Sequence, residues 1–236
     1  MASIRRDPPT PRPSPESPES PESPGSPESG SPLVIVGAGG HGRETLDIVE
    51  AINALTQTFD VVGFVGSSGD TELLSRRRLR LLGDIDQLSR IEADYALGIG
   101  MPGPRRRVHD QLRALGRQAV RLVHPLASVG ADNRLGDGVI LAAGARVTTN
   151  VTLGCHTHLN LNAVVSHDCE IGDFVTLSPG AIVNGDVQIE DDVFLGTGAI
   201  VTPQLRIGRG AVVGAGAVVL SDVPPGATAK GVPARW

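Results

Sequence analysis

The stretch "LGTGAIVTPQLRIGRGAVVGAGAV", residues 195–218, returns to an aliphatic residue every six positions: Leu195, Val201, Ile207, Val213. Neither the 3.6-residue period of a helix nor the two-residue period of a strand produces this spacing. Followed outward, the series runs Val123, Val129, Leu135, Leu141, Val147, Leu153, Leu159, Val165, Ile171, Leu177, Val183, Ile189, Leu195, Val201, Ile207, Val213, Val219. That is seventeen aliphatic residues in a row at six-residue steps, with no insertion. A second small or apolar set follows four places behind, including Val139, Ala145, Val151, Ala163, Cys169, Val175, Ala181, Val187 and Val193. A six-residue period means one short strand and one corner per repeat, hence a parallel β-helix. Three hexads close one triangular coil, so residues 18 apart stack, aliphatic residues point inward, and Gly, Asn and Asp take the corners.

The rest of the chain agrees. Only four Phe, one Tyr and one Trp occur in 236 residues, so the core must be built from Val, Ile, Leu and Ala. The net charge of −5 offers no basic field for nucleic acid. Two cysteines, Cys155 and Cys169, supply neither a disulfide framework nor a zinc set. No apolar run approaches the roughly 20 residues of a membrane span, and Arg5 and Arg6 precede no apolar stretch. These features predict a soluble, cytoplasmic protein.

Four regions follow. Residues 1–31, with "PSPESPESPESPGSPESG", have nothing to bury and should be disordered. Residues 32–122 alternate strand and helix, as in a small Rossmann-like parallel sheet. Its expected strands are "PLVIVGAGG", "DVVGFVG", "DYALGIG" and "AVRLVHP". Its helices are "RETLDIVEAINAL", with Leu46, Val49, Ile52 and Leu55 on one face, a short one in "GDIDQLSRI" capped by Asp84, and "PRRRVHDQLRALG". Arg105, Arg106 and Arg107 read as a solvated helix face rather than a phosphate clamp. Residues 123–223 form the β-helix and 224–236 a C-terminal tail.

Units such as "LGDGVI", "IGDFVT", "LGTGAI" and "VGAGAV" resemble the hexapeptide repeats of the left-handed β-helix acyltransferases; the left hand comes from that likeness. The order "GAGGHG", α/β domain, "HP", coils carrying "SHD", then "GVPAR" is similar to the sugar O- and N-acyltransferases related to sialic acid O-acetyltransferase and bacterial UDP-amino-sugar acetyltransferases. The resemblance covers residues 32–235. It implies acetyl-CoA as co-substrate, a sugar acceptor that is nucleotide-linked, no metal, and a homotrimer with active sites between neighbouring β-helices.

Acyl transfer from a thioester needs a base for the acceptor, donors for the oxyanion, and both substrates in near-attack geometry. In "VVSHDCEIG", residues 164–172, His167 stands off the apolar axis and Asp168 follows it. The 18-residue column through His167 reads Ala131, Thr149, His167, Gly185, Pro203, so Gly185 is expected to leave an open space and a free N–H beside the imidazole. In the resembling family the histidine of this motif is the general base and the adjacent acid supports it, which implies those roles for His167 and Asp168. The same likeness places Asn160 and Thr176 by the acetyl group. It also implies that Gly196, Thr197, Gly214 and Ala215 line a coenzyme A groove whose nucleotide end meets Lys230 or Arg235. His156 and His158 form an H-x-H pair, expected on a solvated face or between subunits.

"GAGGHG", residues 37–42, fits G-x-G-x-x-G between a strand and a helix, which alone suggests a dinucleotide site. The second strand ends in "GFVGSS", without an acid for a ribose. What survives is anion binding at a helix N-terminus. The resemblance implies that Gly37, Gly39, Gly40 and His41 hold the acceptor. An NAD-dependent enzyme and a non-enzymatic scaffold stand as alternatives. O- or N-acylation, the sugar and the acyl chain stay open.

Overall fold

The computed structural model describes residues 30–236, and the expected disorder of the tail falls outside them except at Gly30 and Ser31, where the first strand starts. Three parallel strands, β1 (Ser31–Ala38), β2 (Phe59–Gly69) and β3 (Asp94–Leu97), pair in the order β2-β1-β3. Helix α1 (Gly40–Asn53) links β1 to β2. The short α2 (Thr71–Arg76) and a 3-10 turn (Ile85–Ser89) link β2 to β3, and α3 (Pro102–Ala114) follows β3. Along α1, Leu46 and Val49 are buried as the spacing predicts, but Leu55 lies past the helix end and is exposed. Asp84 sits at the N-cap of the 3-10 turn without making the capping bond; Asp70 caps α2 instead, accepting from the Leu73 N–H at 3.1 Å.

The expected fourth strand of this sheet is a correction. "AVRLVHP" leaves only an isolated bridge, Tyr95 to Ala119, and then becomes the first β-helix strand, β4 (Leu122–Val123). Its backbone bonds run to the next coil, Leu122 N–H to Val139 O and His124 N–H to Leu141 O. Val123 already belongs to the six-residue series, and the series decides where it pairs.

From β4 to β21 (Thr228–Ala229) the chain makes a parallel β-helix of about six turns, with three sheets of seven, six and five strands. Every strand is two residues long and pairs at an 18-residue step, as Leu159↔Leu177 and Val165↔Val183 show, until the last pair, Val212↔Thr228, where the step shortens to 16. From Leu141 to Val219 the series residues are buried in one core with the second set. Val129 is exposed, because it lies in the first coil with nothing stacked beneath it. The corners obey one rule: every sixth residue from Asp132 to Gly216 has positive φ, near +55° to +71°, fifteen positions without a gap. Gly, Asn and Asp occupy twelve of them because a Cβ is costly there unless the side chain is short and polar. Phe174, His156 and Gln204 are the bulky exceptions.

The first of each strand's two residues points outward, and the three faces differ. The seven-stranded face presents Leu122, Ile140, His158 and Thr176, all buried under the N-terminal domain. Leu33, Ile48 and Val49 pack there on Leu122 and Ile140. The six-stranded face presents Val164, Ile182, Ile200 and Val218, half-buried. The five-stranded face carries Arg134, Thr152, Glu170, Gln188 and Arg206 and is solvated. Each coil thus depends on its three inward residues. Leu177→Ala is expected to cost about 2–5 kcal/mol, since the flanking coils cannot collapse into the space; a denaturant midpoint unchanged from wild type would refute this.

Candidate functional site

His167 stands on the edge between the six-stranded and five-stranded faces. The backbone bonds Asp168 N–H to Thr149 O, Asp186 N–H to His167 O and Gln204 N–H to Gly185 O confirm the stacked column around it. Asp168 occupies the positive-φ corner position, at +60°. That backbone turns its carboxylate onto the preceding ring: His167 Nδ1 donates to Oδ2 at 2.7 Å. The other oxygen accepts from Asn150 Nδ2, also at 2.7 Å. These hydrogen bonds, Asn150's first and His167's second, hold the Asp168 carboxyl below its usual range. In the neutral imidazole this bond leaves Nε2 as the nitrogen with the free lone pair. Both side chains are more than half exposed, so Nε2 is open to a substrate. Asn150 was missed in the sequence although it lies 18 residues before Asp168, where the column rule would have found it.

Gly185 corrects an expectation. A Cβ there would lie 2.6 Å from His167 Nε2 and 3.0 Å from Nδ1. The space beside the imidazole is therefore filled by the imidazole itself; glycine admits the ring, not a ligand. Cys169 is structural, its thiol donating to Asn184 O at 3.1 Å, and burial pushes that thiol up.

The positions expected around coenzyme A lie on a different edge, between the seven-stranded and six-stranded faces. Gly198 N–H to Pro179 O and Gly216 N–H to Thr197 O stack its corners. Gly196 packs against the backbone of Gly214 and Ala215, which any side chain at 196 would strike, and Thr197 and Ala215 are exposed. Lys230 and Arg235 exchange backbone bonds of 2.9 Å beyond the last coil, and the Lys230 stem lies over Gly214. Asn160 is on this edge too, two coils before Gly196, and not beside His167. Thr176 is at neither edge. It is sealed under the N-terminal domain, its hydroxyl donating to Gly100 O at 2.7 Å and accepting from Arg105 Nη2 at 2.9 Å. The acetyl pocket grouping of Asn160, Thr176 and Gly185 is thus not assembled within one chain: the strand position of Thr176 points into the domain junction.

The glycine loop lines a cavity of about 650 Å³ with Ser67, Asp84, Gly98–Gly100 and Gln111. Gly37, at φ +107°, lets the loop pass Gly98 O, which a Cβ would approach to 2.7 Å. Gly39 and Gly40 begin α1, whose N-terminal N–H groups suit an anion. His41 closes the cavity. Its Nδ1 faces Glu44 at 3.3 Å and its Nε2 faces His158 Nδ1 at 3.1 Å, with the rings stacked 5.3 Å apart. Burial lowers both histidines, His158 well below the usual value. Two neutral rings leave one economical arrangement: His158 Nδ1 donates to His41 Nε2, and His41 Nδ1 donates to Glu44. His158 Nε2 then stays an unpaired acceptor rather than an orphaned donor. The His41 ring also walls a smaller cavity of about 120 Å³, shared with Thr45, His124, Ala142 and Asn160. The glycine loop therefore abuts the edge on which Asn160 stands, the same edge that carries Gly196, Thr197, Gly214 and Ala215.

The H-x-H pair is not solvated, contrary to expectation. His156 is buried between Tyr95, His109 and Phe174, and burial, with His109 next, lowers it to about 3. Among the described residues no cluster of His, Cys, Asp and Glu is arranged to hold a metal. A histidine kept neutral when folded, but free to protonate near 6.5 when unfolded, stabilises the fold fully above about pH 6.5. That contribution is lost as pH falls toward 3, by up to about 1.4 kcal/mol per pH unit. Melting curves between pH 7 and 5 should fall more steeply for wild type than for His156→Asn, which keeps a residue suited to positive φ. Parallel falls would sink the assignment.

Two family models match the chain: the PglD N-terminal domain over residues 32–112, and the bacterial transferase hexapeptide (six repeats) over residues 186–221. GDP-perosamine N-acetyltransferase of Escherichia coli O157:H7 is 33% identical over 143 residues, which span 58% of this chain and 62% of that one. Among solved structures, the acetyltransferase domain of PglB from Neisseria gonorrhoeae FA1090, in complex with acetyl coenzyme A, is 31% identical with a TM-score of 0.79. That match covers 88% of this chain and 99% of the other. PerB from Caulobacter crescentus, in complex with CoA and GDP-perosamine, is 32% identical with a TM-score of 0.78, covering 88% and 97%. The chain belongs to the hexapeptide-repeat sugar acyltransferases. Membership of this family accounts for both halves of the fold, the glycine-loop domain and the β-helix, in one chain. Among the described residues no helix is long and apolar enough to cross a membrane.

Proposed function

We propose that this chain transfers an acetyl group from acetyl-CoA to the amino group of a nucleotide-linked sugar, with His167 as general base. The observation that carries the reading is the His167–Asp168 pair, in which the carboxylate takes up Nδ1 of an exposed imidazole and leaves Nε2 for the acceptor's proton. The amine attacks the thioester carbonyl and its proton passes to His167 Nε2. The C–S bond then breaks, and the proton leaves with the departing thiolate of coenzyme A. Relatives named as N-acetyltransferases of perosamine, one seen with GDP-perosamine, favour an amine over a hydroxyl. The cavity at the glycine loop takes the nucleotide, and the bare edge of Gly196, Thr197, Gly214 and Ala215 takes the pantetheine arm. Use of acetyl-CoA fits the cytoplasm.

One chain does not complete this site, because His167 and the coenzyme A positions stand on neighbouring edges with the six-stranded face between them. That face bears the uncovered stripe Val164, Ile182, Ile200 and Val218. Three chains packed through it would set the His167 edge of one against the coenzyme A edge of the next, which supports the homotrimer. The test is thiol release from acetyl-CoA with a panel of nucleotide-linked amino sugars, GDP-perosamine included, and sialic acids. Release with an amino sugar is expected. A protein that binds no acetyl-CoA and releases no thiol with any of them is not this enzyme.

A further inference from the structure

We infer that Arg105 is a positioning residue for the acceptor: one guanidinium fixes the wall of the acceptor cavity to a β-helix coil. The inference rests on the reading that the glycine-loop cavity holds the acceptor.

Arg105 lies in the first turns of α3 and is fully buried. This corrects the solvated face expected for the "RRR" run. Arg106 also turns inward, onto the Phe174 ring and Asp192, and only Arg107 of the three is exposed. Arg105 Nη1 donates to the carbonyls of Ile99 and Gly100, at 2.8 and 2.9 Å. Nη2 donates to the carbonyls of Phe174 and Val175, at 2.9 and 3.1 Å, and to Thr176 Oγ1 at 2.9 Å. Thr176 closes the ring by donating to the same Gly100 carbonyl. Ile99 and Gly100 belong to the cavity wall that faces the glycine loop, and Phe174 to Thr176 belong to one coil of the β-helix. The two ends of one planar fork thus grip the two domains.

A cation facing only neutral oxygens is an expensive way to fill a junction, and an apolar side chain of similar volume would pack there at less cost. Docking does not require it either. Leu33, Ile48, Leu122 and Ile140 already join the domains, and Arg106 adds an ion pair with Asp192 at 2.7 Å. What only a rigid fork supplies is a fixed distance between two sets of carbonyls. That distance matters because a Cβ at Gly100 would touch the His41 ring at 3.8 Å, so a shift of this wall moves both the cavity and the histidine that closes it. Burial pushes the Arg105 guanidinium down to about 9, which leaves it charged at neutral pH.

The test compares the full-length wild type with R105M and R105K. Steady-state kinetics use acetyl-CoA and whichever amino sugar supports turnover, and each protein is also titrated with GDP and UDP alone. In R105M the acceptor KM should rise roughly tenfold or more while the acetyl-CoA KM changes less than about twofold. R105K, with a point charge that spans only one set of carbonyls, should fall between. Variants that melt earlier yet keep both KM values, or that raise both equally, would show a purely structural arginine and overturn the inference. If R105M does not fold, an unchanged acceptor KM in R105K overturns it. A wild type that binds nucleotide without turnover leaves the titrations to decide, with weaker binding by R105M supporting the inference and equal binding overturning it. A wild type that binds neither nucleotide and uses no acceptor removes the acceptor reading, and this inference with it.

Discussion

His167→Ala lowers acceptor-dependent thiol release by about 10²–10⁴-fold, the range expected when a positioned general base is lost. The loss falls on kcat rather than on the KM for acetyl-CoA, because the imidazole acts on the acceptor's proton. It touches none of the residues proposed along the pantetheine arm. The fold should survive, since His167 is exposed and its neighbours in the column are held by backbone bonds that do not involve its ring. Asp168→Asn is the informative companion. Asn suits the +60° corner, so the backbone is spared. An amide has one acceptor oxygen, however, and cannot serve both Asn150 and His167. Its NH₂ facing Nδ1 would favour the tautomer with the proton on Nε2, the wrong one for a base. The activity loss should be clear but smaller than the ~10⁴-fold found where such a change traps a buried histidine. Equal activity in wild type and His167→Ala, assayed with an acceptor that turns over, would end the general-base proposal.

Gly185→Ala comes second in size and is the more pointed change, because it leaves every candidate functional group in place. The new methyl would stand 2.6 Å from His167 Nε2, so the ring must swing away from the edge and its bond to Asp168 must lengthen. A displacement of about 1 Å in a reacting group can cost about 10²-fold. The imidazole resonances should report the swing directly by NMR, separating a moved base from a damaged fold. Wild-type turnover with an unmoved ring would mean that the coil yields rather than the histidine, and the site would not depend on this glycine.

The periodic part of the molecule was open to reading because one physical demand, an aliphatic residue inside every strand, recurs without interruption. The same pattern located His167 and Gly185 in one column, since stacking follows arithmetically from three hexads per coil. Its limits are equally physical. The pattern says which residues point in, but not what covers those that point out. Thr176, His156 and His158 read as candidate surface or site residues. They are buried because a second domain lies on their face, a contact between segments about 60 residues apart or more. Arg105 failed for a related reason: nothing local separates it from Arg107, and half of what buries it, the carbonyls of Phe174 and Val175 and the Thr176 hydroxyl, lies about 70 residues away. The strand at Leu122–Val123 was assigned to the wrong sheet because strand propensity is silent about partners.

The unbroken row of fifteen positive-φ corners has a consequence for how such a chain can change length. Adding or deleting one residue between corners would put a side chain unsuited to that backbone at every later bend and turn every later core residue to the outside. Growth within the walls is therefore quantised: a whole coil of three hexads can be spliced in or out, while any other insertion must be extruded at a bend as a loop. A prism built this way can be lengthened along its axis, giving a longer donor surface, while the edge that carries His167 keeps its bearing.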